Sequence, residues 1–170
     1  MPRLSDDARR EVATTRSTLA STVADQGRFD EALATASKAV DEFRSRGETD
    51  SPNYGFALNV LGGFLTEKGR FAESDAVLIE ANGIFNKYLA PTNLWTGDNL
   101  RNQAISFEQQ GKYELALEKA DAAAKIYLES FGKHYDNYPT VLIVKGLSLT
   151  HSGRAKDGEK LLQEAVELRN

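Results

Sequence analysis

Apolar and polar residues along this chain fall into a pattern that returns every 42 positions. One stripe reads Leu58, Gly62 and Leu65, then Leu100, Ala104 and Phe107, then Leu142, Gly146 and Leu149. Its first copy is Ala20 and Val23, with Arg16 breaking the series. The i, i+4, i+7 spacing puts these residues on one face of a helix. A second stripe follows in Ala39 and Phe43, Ala81 and Phe85, Ala123 and Tyr127, and finally Ala165, where Arg169 ends the series. Between the stripes stand Gly27-Arg28-Phe29, Gly69-Arg70-Phe71, Gly111-Lys112-Tyr113 and the weaker Gly153-Arg154-Ala155, whose glycines lie 42 residues apart.

The predicted unit is therefore helix, tight turn, helix. The glycine is the residue just past the first helix, where a left-handed backbone costs least without a Cβ. Small residues at 20, 62, 104 and 146 let two helices approach closely. Phe29, Phe71 and Tyr113 are expected to pack as the first inward residues of the second helices. Breakers separate the units: Gly47 to Pro52, Ala90-Pro91-Thr92-Asn93, and Gly132 to Pro139. Ser51 and either Thr92 or Asn93 are expected N-caps. No stretch alternates apolar and polar residues long enough for a strand. Self-similarity at this period marks an all-α solenoid, in which no unit buries its apolar face alone. The expected organisation is one domain, 1–170, with units near 12–53, 54–95, 96–137 and 138–170 and a helical extension over 4–11.

Composition narrows the function. The 21 basic and 25 acidic residues give a formal charge of −4 without a block of like charge, unlike the basic footprint of a nucleic-acid binder. Without cysteine there are no disulfides, thiolate nucleophiles or thiolate metal sites. No run approaches the apolar length of a membrane span. A cytoplasmic setting, with neither nucleic-acid nor membrane partners, is expected.

The repeat resembles the tetratricopeptide repeat (TPR), a pair of helices with small residues at the crossing and a glycine at the internal turn. The family's usual period is about 34. The longer period here is similar to the kinesin-light-chain type, with its Leu-Asn-Asn-Leu-Ala text and Gly-x-x-His-Pro linker. Leu58-Asn59-Val60-Leu61-Gly62 keeps the first asparagine of that text, and Leu100-Arg101-Asn102-Gln103-Ala104 keeps the second. Phe131-Gly132-Lys133-His134-Tyr135 keeps the linker glycine without the proline. The resemblance implies a right-handed α–α superhelix of about four TPR helix pairs whose first helices line a concave peptide groove. It points to Asn59 and Asn102 as holders of a peptide backbone, since an amide offers both a donor and an acceptor. Phe56, Glu67, Asp98, Arg101, Ile105 and Glu108 would share that face, as would Ser17 and Thr66. The positions of a chaperone-tail carboxylate clamp lack the required basic residues, and Asp98 would repel a carboxylate.

Other features carry less chemistry. His134 is expected to pack its linker, and His151 sits near a first-helix end, where a cation suits the helix dipole. Neither has a second histidine at metal-site spacing. No glycine-rich phosphate loop occurs, so neither cofactor nor catalysis is expected. Off the repeat register stand Phe56, Tyr88, Trp95, Tyr135 and Tyr138, of which Phe56 points toward the groove. The last helix carries Leu161, Leu162, Val166 and Leu168 with no helix after it to cover them. The sequence thus predicts a non-catalytic scaffold or adaptor that binds a partner's peptide. The alternative is self-association or assembly through the last helix, including a homodimer.

Overall fold

The computed structural model describes Asp6 to Arg169, with side chains from Glu11 onward except Val12 and Ala13. The start of the expected extension, before Asp6, lies outside the described residues. Among these residues there are eight helices and no strand: α1 (Asp6–Asp25), α2 (Phe29–Ser45), α3 (Pro52–Glu67), α4 (Phe71–Tyr88), α5 (Leu94–Gln109), α6 (Tyr113–Phe131), α7 (Tyr138–His151) and α8 (Ala155–Glu167). They make two compact units, Met1–Tyr88 and Leu89–Asn170. Each holds two helix pairs.

Every pair closes through the same turn. Gly69 has φ +69°, its N–H reaches Thr66 O at 2.8 Å, and the next N–H, of Arg70, reaches Leu65 O at 2.9 Å. That is a Schellman closure, which satisfies carbonyls the helix end would leave unpaired. It recurs at Gly27, Gly111 and Gly153. The basic residue after the glycine then ties down the following helix. Arg70 makes a fork with Glu73 at 2.7 and 2.8 Å, and Arg28 with Glu31 and Arg154 with Asp157 repeat the contact. The linkers use side-chain caps: Ser51 Oγ accepts from Tyr54 N, and Asn93 Oδ1 from Trp95 N.

The aromatic after the glycine is not core. Phe29 is nearly half exposed, and Phe71 and Tyr113 are only partly buried. They occupy the first helical position, before the helix has turned its inward face to its partner. The inward stripe starts three residues later, at Ala32, Ser74, Ala116 and Gly158, all buried. It continues through Ala36, Leu78 and Ala120, then Ala39, Ala81, Ala123 and Ala165, and ends on Phe43, Phe85 and Tyr127, which are fully buried. The rings fit because Gly55 lies over Phe85 and Gly97 over Tyr127, where an added Cβ would come within 2.7 and 2.9 Å of ring carbons.

In the first unit Phe43 packs on Tyr54 at 5.8 Å between ring centroids. Tyr54 donates to Glu80 and accepts from Arg44 Nε, so its buried hydroxyl is paired twice. Arg16, the break in the first stripe, pairs with Glu42. The second unit's core gathers Ala104, Ala116, Ala120, Ala123, Tyr127, Val141, Leu142 and Ala165, with Leu100, Phe107, Leu161 and Leu168 packed partly on it. The α6–α7 linker is filled by Tyr135, tilted against Tyr127 at 4.9 Å and stacked on Phe131 at 5.0 Å. His134 is exposed, so the linker-packing role expected of it belongs to its larger, less costly to bury neighbour.

Candidate functional site

In the second unit Asp98, Arg101, Asn102, Ile105 and Glu108 run along α5 at helical spacing, each partly accessible. Packing against α6 and α7 leaves this stripe only partly covered. Its upper end is a charged network. Asp98 Oδ1 accepts from Tyr127 OH at 2.7 Å and from Asn137 Nδ2 at 3.0 Å, and lies 3.5 Å from Arg101 Nη1. Burial, and then the nearby Asp98 carboxylate, push the Tyr127 hydroxyl far above its ordinary pKa, although Arg101 opposes this. The phenol therefore stays a donor, which suits a carboxylate partner. Arg101 Nη2 reaches Asn102 Oδ1 at 3.2 Å, while Arg101 Nε is buried without a hydrogen-bond partner. At the lower end His151 Nδ1 lies 3.3 Å from Glu108 Oε1, and Tyr113 packs on the imidazole at 5.1 Å. Ile105 leans partly on the core.

The first unit treats its expected site residues differently. Asn59 is only 6% exposed and Thr66 is buried. Phe56 is half-buried and Glu67 exposed. Ser17 is also fully buried, so three of the polar residues expected on an open face are interior. Thr66 belongs to a closed network instead: its hydroxyl lies 2.7 Å from Ser74 Oγ, which donates to Gly62 O at 2.8 Å. The resemblance placed these residues on an open helix face, but it gave no sign that the polar atoms had partners inside. A hollow of about 440 Å³ lies between α2 and α4, floored by Leu61 and Leu65 of α3 and edged by Asp30, Arg44, Arg70 and Glu73. Sequence reasoning missed it, although Leu61 was the signal: one and two periods on stand Gln103 and Lys145.

The last helix is less bare than its sequence suggests. Leu161 and Leu168 pack partly on the core, and Leu162 packs against Gly146, where an added Cβ would come within 2.7 Å of Leu162 Cγ. Val166 remains 61% exposed. Beside it Glu159, Leu162, Gln163 and Glu167 line a shallow hollow of about 430 Å³.

A tetratricopeptide-repeat family model matches residues 56–129, and a second one matches residues 12–40. The chain is a tetratricopeptide-repeat protein. Among solved structures, BtubC (BKLC) of P. vanneervenii superposes with a TM-score of 0.80 at 16% identity, over 99% of this chain and 66% of that one. Two structures of a Podosopora anserina protein with nearly identical kinesin-light-chain TPR-like repeats give 0.69 and 0.65, each at 14% identity, over 92% of this chain and 74% of theirs. This TPR chain thus spans just under two thirds of the length of the first of these relatives. At such identities the likeness is one of fold. No curated protein sequence matches the chain. TPR repeats are protein-interaction scaffolds. Among the described residues, no helix is long and apolar enough to cross a membrane, and no group of three His, Cys, Asp or Glu side chains could hold a metal ion.

Proposed function

We propose that this TPR protein is a non-catalytic adaptor whose α5 face, from Asp98 to Glu108, binds an extended segment of a partner protein. The observation that carries this reading is the Arg101 Nε donor, buried and unpartnered beside the Asn102 amide. A buried polar atom without a partner is costly, and a turn of the Arg101 side chain toward a peptide carbonyl laid along α5 would relieve it. Asn102 would supply the matching donor and acceptor to the peptide backbone. Glu108 and Asp98 favour a segment carrying Lys or Arg over an acidic one. A preformed helical face lowers the ordering cost of binding to that of the peptide alone. Localisation in the cytoplasm remains part of the same proposal.

Crosslinking and mass spectrometry would identify the bound segment, and that peptide is then titrated against wild type and Asn102→Ala. Affinity should fall by about 1–2 kcal/mol, roughly tenfold, with the melting temperature unchanged. Equal affinity for both proteins would refute the α5 placement.

A second reading, self-association through α8, is favoured by Val166, an aliphatic side chain left in water beside a shallow hollow.

A further inference from the structure

The repeat itself records what normally covers the α8 face. Val40 of α2 and Ala124 of α6 hold the register position of Val166, and they are 1% and 6% exposed. Ala36 and Ala120, which match Leu162, are fully buried. Beyond its own pair, each of these second helices is also packed by the first helix of the following pair: α3 packs on α2, and α7 on α6. The fitting mate for α8 is therefore a helix with the face of α3. Leu61 belongs to that face; it is 7% exposed and lies beside Leu33 and Ser37 of α2. One period earlier, on α1, stands Leu19, which is 52% exposed.

The rest of the α1 face is suited to being covered. Thr18 Oγ1 donates to Thr14 O and Thr22 Oγ1 to Thr18 O, each at 3.3 Å. Hydroxyls already paired with their own helix can leave water without stranding a donor, which is the main cost of burying them. These threonines correspond to Val60 and Phe64 of α3. Leu19 and Val166 are thus two exposed aliphatic side chains whose repeat counterparts are buried against each other's type of helix.

We propose that two copies of this chain associate head to tail, α1 of one copy packing on α8 of the next as α3 packs on α2. The proposal rests on the reading that α8 self-associates, and it adds the mating surface. Such an interface joins two different surfaces, so each added copy leaves one of each free and association does not stop at two. Gln163 stands where Asp121 pairs with Lys145 in the α6–α7 junction, opposite the position of Leu19, so the position facing Leu19's counterpart there carries no charge on α8.

The test is sedimentation of the whole chain over a wide concentration range, using wild type, Leu19→Glu and Val166→Glu. Both side chains are more than half exposed, so both variants should fold, with helical content checked by circular dichroism. Wild type should show an average mass that climbs with concentration past that of two chains. Each variant alone should lose association by about tenfold or more, since a carboxylate would be buried. An equimolar mixture of the two variants should recover pairs and nothing larger, because one intact α1 face meets one intact α8 face. A wild type that stays monomeric overturns self-association itself. Association retained in Leu19→Glu but lost in Val166→Glu keeps self-association and overturns α1 as the mate.

Discussion

The pairs α3–α4 and α7–α8 make the same crossing by opposite means. In the first unit Thr66, Ser74 and the Gly62 carbonyl form a closed chain of hydrogen bonds, so the second helix carries a side chain at the crossing and gives it a partner. Two periods later the corresponding residues are Thr150, Gly158 and Gly146. There Thr150 Oγ1 donates directly to Gly146 O at 2.9 Å, and Gly158 contributes no side chain. A Cβ at Gly158 would come within 2.4 Å of both Gly146 O and Thr150 Oγ1. One position in one repeat is thus filled by polarity in the first unit and by closeness in the second. A register position fixes which helices meet, not what holds them.

The sharpest way to break this contrast is Gly158→Ala. Helix propensity favours alanine by about 1 kcal/mol, but forcing a methyl into a backbone contact costs more, and we expect a net loss of about 2 kcal/mol in thermal or denaturant unfolding. A stabilised variant would mean that α8 slides freely and that the close approach holds nothing. Ser74→Ala should cost about 1–2 kcal/mol, because the Thr66 hydroxyl and Gly62 carbonyl lose a buried partner. Asn59→Ala, also interior, should lower the melting temperature, whereas Asn102→Ala should not. Equal effects on stability would erase the distinction between a buried first-unit amide and an accessible second-unit one.

A smaller effect is expected in alkali. Tyr127 is held above its ordinary value of 10.0 mainly by burial, so the folded second unit keeps a proton that the unfolded chain releases. The associated stability is complete below pH 10 and declines as pH rises beyond it. Urea midpoints measured on either side of that pH should fall less in Tyr127→Phe than in wild type; parallel declines would assign the sensitivity elsewhere. The least consequential contact is the exposed Lys87–Asp50 pair of the first unit, 2.6 Å long. Its hydrogen bond from Lys87 lowers the Asp50 pKa below 3.8, so the pair persists above that depressed value and is lost as pH falls through it. Asp50→Asn should leave the melting temperature unchanged within error.

The sequence made the turns legible because a left-handed residue is demanded there and glycine answers it at a fixed interval. The second-helix stripes were legible as well, since Ala39 to Ala165 and Phe43 to Tyr127 are interior for size and apolarity alone. Three kinds of feature escaped. Phe29 looked like core because it is large and apolar, yet the geometry of a helix start turns it outward. Gly55, Gly97 and the position of Ala32 and Ser74 are small for reasons that lie on a facing helix, and no period states which ring or carbonyl waits there. Ser17, Asn59 and Thr66 read as surface because their polarity is visible in the text and their partners are not. At the candidate site, the α5 stripe followed from helical spacing. The tyrosine that anchors Asp98 did not, because it comes from another helix.

The glycine closure has one more consequence. Each helical hairpin is sealed by hydrogen bonds from residues only three to five places away, so its formation requires little loss of loop entropy and waits for no distant segment. A nascent chain leaving the ribosome can therefore close one turn before the next pair has been translated, and the hairpin's apolar face is covered once that pair arrives.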